Sequence, residues 1–325
     1  MRVELTDDPT AFMACDWTDA TLADPGGTFF HTPAYLKLWW EEFGTGRLAI
    51  AVGEQQGERA GACCFQIEDG LLTFLGGFDV TDYMGPVARP GTERAFADGL
   101  MEALAAQPEW ERADLRGLPA DQPWPELLQS AAASRGFAVE PGDDGAAPVL
   151  ALPETYEEYL SALPSKLRHE IRRKERRLRA NFGDYTVEFA TEATLPEFYD
   201  RFIDLHKQSP GPKGKFLHAG MEIFFRRLGE AFIDQHVFHL GFIEVDGVRA
   251  AGFIGFGFKD TFSLYNSAFD REHAQWSPGM VLIADMIEMA IRDRRSVFDF
   301  LKGDLDYKNR FGPKPRPFVR LAVKR

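Results

Sequence analysis

Apolar and polar positions along the chain fall into short strand-like runs broken by helical stretches. In the first half, Pro33 to Phe43 places Tyr35, Leu36, Trp39, Trp40 and Phe43 at helical spacing. Apolar runs at Leu48–Gly53, Arg59–Gln66 and Leu71–Leu75 predict strands, with Glu54-Gln55-Gln56-Gly57 as a hairpin loop. A helix from Thr92 to Ala106, a short strand Ala113–Gly117, a helix around Leu127–Arg135 and a strand around Val149–Leu152 come next. The second half opens with helices at Leu195–Lys207 and Met221–Ile233. Strands are predicted at Val237–Val245, Arg249–Phe258 and Phe262–Phe269, the first two joined by Asp246-Gly247, a strong two-residue hairpin signal. A loop over Asp270–Gly279 leads into a long helix, Met280–Arg292. Then come a strand Val297–Leu301, a short helix Asp304–Phe311 and a final strand Phe318–Val323.

Both halves therefore share one plan: hairpin strands, a helix, then a strand ending in Gly. Asp114-Leu115-Arg116-Gly117 echoes Asp299-Phe300-Leu301-Lys302-Gly303 with one residue inserted, which reads as a distant internal duplication. The stretch Pro141-Gly142-Asp143-Asp144-Gly145-Ala146-Ala147-Pro148 reads as a loop or hairpin tip, and the domain border is placed at about residue 150. Strands mixed with helices predict an α+β (mixed α/β) class, and the hairpins argue against an all-parallel sheet.

Charge sharpens the division. The 325 residues carry a net −13, but residues 1–148 hold 9 Lys and Arg against 25 Asp and Glu, while residues 149–325 hold 28 against 25. A phosphate-bearing ligand should prefer the second half, and DNA binding by the whole chain is not expected. No run of about 18 uncharged apolar residues predicts a membrane span. The mixed, acidic start Met1-Arg2-Val3-Glu4 does not read as a secretory signal, so a cytoplasmic location is expected. Cys15, Cys63 and Cys64 form no CxxC pair, and the histidines lack zinc spacing, so no metal is expected. The scattered histidines, His206 among them, form no triad spacing and receive no catalytic role.

Four segments could carry chemistry, one of them the Gly-, Pro- and Lys-rich stretch Lys207–Phe216, which reads as a loop that could cover a ligand or simply connect two helices. Gln275-Trp276-Ser277-Pro278-Gly279-Met280 opens the long helix, where unpaired backbone N–H groups favour phosphate. The alternative is a plain capped helix with Ser277 near the N-cap. Past the strand ending at Leu301, the polar cluster Lys302-Gly303-Asp304 to Tyr307-Lys308-Asn309-Arg310 lies where sites are grafted onto folds; Asp304 could equally be only a helix cap. From Lys166 to Arg179 eight basic residues face two acidic ones, with Leu163, Leu167, Ile171 and Leu178 on one stripe. This is an amphipathic helix whose outer face could meet phosphates or simply be solvated.

This order of elements, with Ser277-Pro278-Gly279, Phe298-Asp299-Phe300 and Gly303-Asp304 before Tyr307-Lys308, resembles GNAT-superfamily acyltransferases. Within them it is similar to the CelD-like (cellulose-biosynthesis-associated) group, which the segment Leu167-Arg168-His169-Glu170-Ile171-Arg172-Arg173 also fits, and in turn to Fem-type peptidyltransferases. The resemblance covers about 155–325 and reaches residues 1–150 only through the repeated plan. It implies tandem GNAT-like domains, each a mixed, mostly antiparallel sheet flanked by helices: a degenerate acidic domain at 1–150 and an acyltransferase domain at 151–325. The family's pyrophosphate loop, Arg/Gln-x-x-Gly-x-Gly/Ala, falls on Gln275 to Met280, departing from the pattern at Pro278 and Met280.

The resemblance implies acyl transfer from acyl-CoA, acetyl-CoA in the simplest case, to a primary amine on a small molecule, peptide or sugar. Gln275, Ser277, Gly279, Met280 and Tyr265 would hold the donor; Asn266, with Tyr265 and Ser267, would line an opening between two splayed strands. Asp304 is the expected base for the amine, Tyr307 the acid for the departing thiolate, Lys308 a steadying charge, and Asn266 or a backbone N–H a partner for the carbonyl oxygen. The alternatives are an aminoacyl-tRNA-dependent peptidyltransferase of Fem type and a catalytically inactive GNAT-like binding scaffold. The first half is expected to lack the site, because Leu118-Pro119-Ala120 comes after Gly117 where the Asp/Tyr/Lys set would stand. Oligomeric state is not read from the sequence.

Overall fold

The computed structural model describes residues 1–77, 79–209, 213–303 and 306–325. The chain forms two compact units: residues 1–146 together with 316–325, and residues 147–315.

In the first unit, helices α1 (Ala11–Ala14), α2 (Thr18–Ala23), α3 (Pro33–Phe43), α4 (Glu93–Ala105) and α5 (Trp124–Ala133) accompany strands β1 (Arg2–Thr6), β2 (Arg47–Gln55), β3 (Glu58–Glu68), β4 (Leu71–Phe74), β5 (Val87–Ala88) and β6 (Arg112–Pro119). The next strand is β7 (Ala138–Ala151), and the last strand of the chain, β13 (Lys314–Lys324), returns to lie antiparallel beside β6. Strands β1 to β4 are antiparallel neighbours, and β5 adds to β3. By contrast β4 and β6 run parallel, over Leu71↔Arg112, Leu72↔Ala113 and Thr73↔Asp114. The turns Gln56-Gly57 and Asp69-Gly70 hold both residues at positive φ (56° and 83°; 49° and 72°), the mirror-image turns whose twist suits a tight hairpin. Phe65, Phe74, Phe96, Leu100, Trp110, Leu115 and Leu128 bury the sheet face under α4 and α5. Each such fully buried side chain contributes about 1.5–3 kcal/mol.

The second unit holds α6 (Tyr156–Ala162), α7 (Ser165–Phe182), β8 (Thr186–Phe189), α8 (Leu195–Lys207), α9 (Lys213–Phe216) and α10 (Ala219–Phe232). Strands β9 (Phe238–Val245), β10 (Val248–Phe258) and β11 (Thr261–Phe269) come next, then α11 (Pro278–Arg292) and β12 (Val297–Asp299). Strands β8 to β11 are antiparallel neighbours. Strand β12 runs parallel to β11 and antiparallel to Val149–Ala151 of β7. Asp246-Gly247 makes the predicted hairpin, again with both residues at positive φ. The core packs Phe253, Phe262, Leu264 and Phe298 of the sheet against Leu282 and Ile287 of α11 and against Ile171 and Leu178 of α7. The arginines on the other side of α7 stay in water, which is why so basic a segment can be a docked helix.

Both units thus share three antiparallel strands, a helix and a parallel strand, so the chain is a mixed α/β protein of tandem plan. Two expectations need correcting. Residues 141–148 are not a loop: they lie within β7, where Asp144 accepts a hydrogen bond from Gly117 N at 2.8 Å and Gly145 takes a positive φ of 79°. Loop-forming composition is overridden here by main-chain pairing. The final strand, placed in the second half by its position in the sequence, contributes Leu321 and Val323 to the first unit's core. Among the described residues, no helix is long and apolar enough to cross a membrane.

Candidate functional site

The site is built on a fork between two parallel strands. β11 and β12 pair over Thr261↔Val297, Phe262↔Phe298 and Ser263↔Asp299; β12 then stops while β11 runs on to Phe269. Local chemistry ends β12. Phe300 N donates to Pro148 O, Asp299 Oδ1 accepts from Leu301 N at 2.7 Å, and Leu301 turns into the left-handed region at φ 57°. A branched residue rarely adopts that conformation, at a cost of order 1–3 kcal/mol, and such strain gathers at functional sites. Lys308, almost wholly buried, braces the turn from below: its Nζ donates to Leu301 O at 3.1 Å and to Lys302 O at 2.9 Å.

A pocket of about 240 Å³ lies beside the free run of β11. Ser267 and Phe269 of β11, Ser277 to Met280 at the start of α11, and Tyr307 and Arg310 are among its walls, and Lys174 reaches it from α7. The Tyr307 hydroxyl lies near enough to Ser267 for the two side chains to interact. Burial pushes the Tyr307 hydroxyl above its ordinary range, and Ser267 opposes the shift only in part.

The first turn of α11 forms one side of the pocket. Ser277 is its N-cap at φ 59°, but its side chain caps no backbone N–H; instead Ser277 Oγ accepts from Lys174 Nζ at 2.8 Å. Pro278 at the first helical position removes a donor that the helix would not use. A Cβ on Gly279 would make only an ordinary 3.7 Å contact with Phe269, so neither backbone conformation nor packing demands glycine there. What its small size keeps open is the pocket. Desolvation lowers the Lys174 ammonium, Glu170 opposes this, and Arg310, Arg173 and Arg177 lower it further. Arg310 Nη1 donates to Glu170 Oε1 at 3.2 Å. Lys174 thus feels three arginines and one carboxylate, and Lys174 and Arg310 share Glu170 between them. Gly279→Leu is expected to fill the pocket and weaken binding of a phosphate-bearing donor at least tenfold while leaving the melting temperature unchanged or higher, since leucine is the better helix former; titration calorimetry with thermal melts checks it.

Several sequence-predicted residues come together in this pocket: Ser277, Gly279, Met280 and Tyr307. Others do not. Gln275 is exposed on the short 3₁₀ turn Arg271–Trp276, and its neighbour Ala274 lines the pocket instead. Lys308 serves the turn rather than facing the pocket. Asp304 lies outside the described residues. Tyr265 and Asn266 face the opposite side of the sheet from Ser267. For Asn266 this is ordinary strand alternation; for Tyr265 the cause is a bulge, where Ile254 pairs with Asn266 but Gly255 with Leu264, leaving Tyr265 as an extra residue. Tyr265 packs on Phe225, Phe256 and Phe216. Asn266 Nδ2 lies 3.2 Å from Nε2 of the fully buried His206, and its Oδ1 accepts from Ser267 N.

The sequence does not single out Lys174, Arg310 or His206. Lys174 is one basic residue among eight, and only its bond to Ser277 sets it apart. A further group lies behind the pocket, between α7 and α11. Asp285 Oδ1 accepts from the Tyr185 hydroxyl at 3.2 Å, and Glu175 Oε1 from the Tyr156 hydroxyl at 3.2 Å. Among the described residues, Asp285 Oδ2 is buried without a hydrogen-bond donor. Burial, with repulsion from Glu175 and Glu288, pushes the Asp285 carboxyl up to about 7 against the pull of Tyr185 and Arg179. Among the described residues no group of three or more His, Cys, Asp or Glu is placed to hold a metal ion.

Residues 165–309, which contain the fork, the pocket and α7, match the family model of the acetyltransferase (GNAT) domain. No curated protein matches the chain. Among solved structures, it is similar to FemX at 11% identity and a TM-score of 0.68, covering 98% of this chain and 97% of that one. It is also similar to a conserved protein of unknown function from Bacteroides thetaiotaomicron at 14% identity and a TM-score of 0.65, covering 99% and 100%. L-PGS from Bacillus licheniformis is similar at 12% identity and a TM-score of 0.55, covering 89% and 90%. At such identities these likenesses show the fold alone, and the family match assigns residues 165–309 to the acetyltransferase (GNAT) domain.

Proposed function

We propose that the second unit is an N-acyltransferase that takes an acyl group, in the simplest case acetyl, from acyl-CoA and passes it to a primary amine. The observation that carries this reading is the fork: β11 and β12 part after three residue pairs, beside a pocket at the start of α11. Past Ser263, the β12-facing edge of β11 offers main-chain groups to an extended donor, as an open strand edge does to a peptide. The donor's phosphates would rest on the first turn of α11, with Lys174 and Arg310 supplying charge. Its thioester would then sit at the fork, beside Tyr307 and Ser267.

In the reaction the amine nitrogen forms a bond to the acyl carbon, and the carbon–sulfur bond breaks. A free amine with a pKa of roughly 10 must lose a proton before attack, and Asp304 is proposed to receive it. The carbonyl oxygen gains charge and is met by a main-chain N–H of β11 or by Ser267. The amide of Asn266, engaged by His206 on the other face, belongs to the acceptor side instead. Tyr307 donates to the departing sulfur. Holding the two reactants together supplies the largest share, roughly 7–11 kcal/mol.

A second reading has a specific observation in its favour. Arg173, Arg176 and Arg177 lie on α7, next to the cations of the pocket rim, as a polyanionic donor such as aminoacyl-tRNA would require. Thermal shift separates the two. At about 100 times its dissociation constant acetyl-CoA should add roughly 2.7 kcal/mol to the stability of the folded state. Retention of charged tRNA without any shift by acyl-CoA would replace the first reading with the second. Indifference to both would leave a binding scaffold.

A further inference from the structure

We infer that the first unit carries a ligand site of its own, at the fork between β4 and β6, for a small molecule bearing both an ammonium and a carboxylate group. The inference does not depend on the acyl-transfer reading of the second unit. β4 and β6 pair over three residues and end their ladder at Thr73↔Asp114, as β11 and β12 end theirs at Ser263↔Asp299. Beyond the aspartate the two forks differ. In the second unit Asp299 is buried and closes its turn by accepting from Leu301 N. In the first unit Asp114 is only partly buried, its two oxygens accept from Arg116 Nε and Arg320 Nε, and the positive-φ position falls later, on Gly117.

The result is a cavity of about 170 Å³ whose walls include Gln66, Thr73, Phe74, Met84, Asp114 and Arg116. Its volume corresponds to roughly six water molecules of liquid, the size range of an amino acid. The register lays a polar row across it: Gln66 pairs with Thr73, and Thr73 with Asp114. Neighbouring strands lie roughly 4.8 Å apart, so the main-chain positions of Gln66 and Asp114 are roughly 10 Å apart, and their side chains stand over the same cavity. At one end Gln66 Oε1 is buried and receives no donor from the described residues. At the other stands the Arg116 guanidinium, with Asp114 bonded to it. An acceptor-only atom and a cation lining the same small cavity suit an ammonium and a carboxylate carried on one molecule. Phe74 and Met84 supply an apolar wall for the remainder of the molecule.

The test is titration calorimetry of the full chain with each standard L-amino acid, with ethanolamine and acetate as probes carrying one charge only. At least one amino acid should bind with a dissociation constant below roughly 10 mM, and both single-charge probes should bind at least tenfold more weakly. Gln66→Leu should weaken the amino acid at least tenfold with no fall in melting temperature, because the group it removes has no donor to lose. Thr73→Val, which keeps shape, should weaken it severalfold and serves if the leucine variant folds poorly. Absence of heat with every amino acid overturns the inference, as does binding that survives unchanged in both variants or is matched by ethanolamine or acetate alone.

Discussion

Tyr307→Phe should lower turnover roughly a hundredfold, toward the smaller end of what a positioned acid supplies, while donor affinity stays within threefold. The size comes from the surroundings of the hydroxyl. Burial holds it protonated through the neutral range, so it is always able to donate. Its raised affinity for the proton also makes it a weaker acid than a free thiol of pKa about 8.5, so it stabilises the departing sulfur chiefly through a hydrogen bond and less through complete transfer. The ring fills one wall of the pocket, and phenylalanine keeps that wall; only the hydroxyl, with its interaction with Ser267 and its donor to sulfur, is removed. Steady-state kinetics with a binding isotherm for the donor decide the matter. Unchanged turnover would strike Tyr307 from the chemistry, and an equal loss in affinity would make it a wall residue only.

Asp285→Asn should stabilise the protein at pH 8 by roughly 2–4 kcal/mol and change it little below about pH 4. The sign is set by which state holds the proton more tightly. The folded-state value, about 7, stands above the ordinary 3.8, so the folded chain keeps the proton longer than the unfolded one. Stability associated with this carboxyl is therefore present at low pH and is lost as pH rises from about 4 to about 7. Asparagine reproduces the protonated form, keeps the acceptor for Tyr185, and removes the repulsion from Glu175 on α7 and Glu288 on α11. Denaturant melts across this pH range should converge in acid and separate in base. Parallel curves at every pH would show that the carboxyl between α7 and α11 titrates normally.

The hairpins, the helix before each parallel strand and the tandem plan were legible because they rest on local signals. Asp246-Gly247 demands a tight turn, and Tyr35, Leu36 and Trp39 repeat at helical spacing and are all buried. The stretch at 141–148 misled because its Gly, Pro and Asp residues are locally loop-forming, whereas the pairing that makes it β7 is set by distant strands. The site was legible in part for the same reason. Ser277, Gly279 and Met280 share a helix start, so their proximity is written in the sequence, and Tyr307 stands a few residues past the strand that precedes it. The separation of Tyr265 from Ser267 depends on one extra residue in β11, which no composition signals. Lys174 is brought to Ser277 by packing across 103 positions of sequence, a distance over which no periodicity speaks.

The return of β13 to the first unit sets an order on biosynthesis. A ribosome releases Ala147–Pro315 in full before residues 316–325 emerge, so the unit encoded later has all its strands available sooner. The earlier one must wait, with the flank of β6 uncovered, for the C-terminal segment to arrive. A tag, a nick or a premature stop near Leu321 would therefore be felt far away along the chain, in the acidic half, while the half that adjoins the lesion could still close its own core.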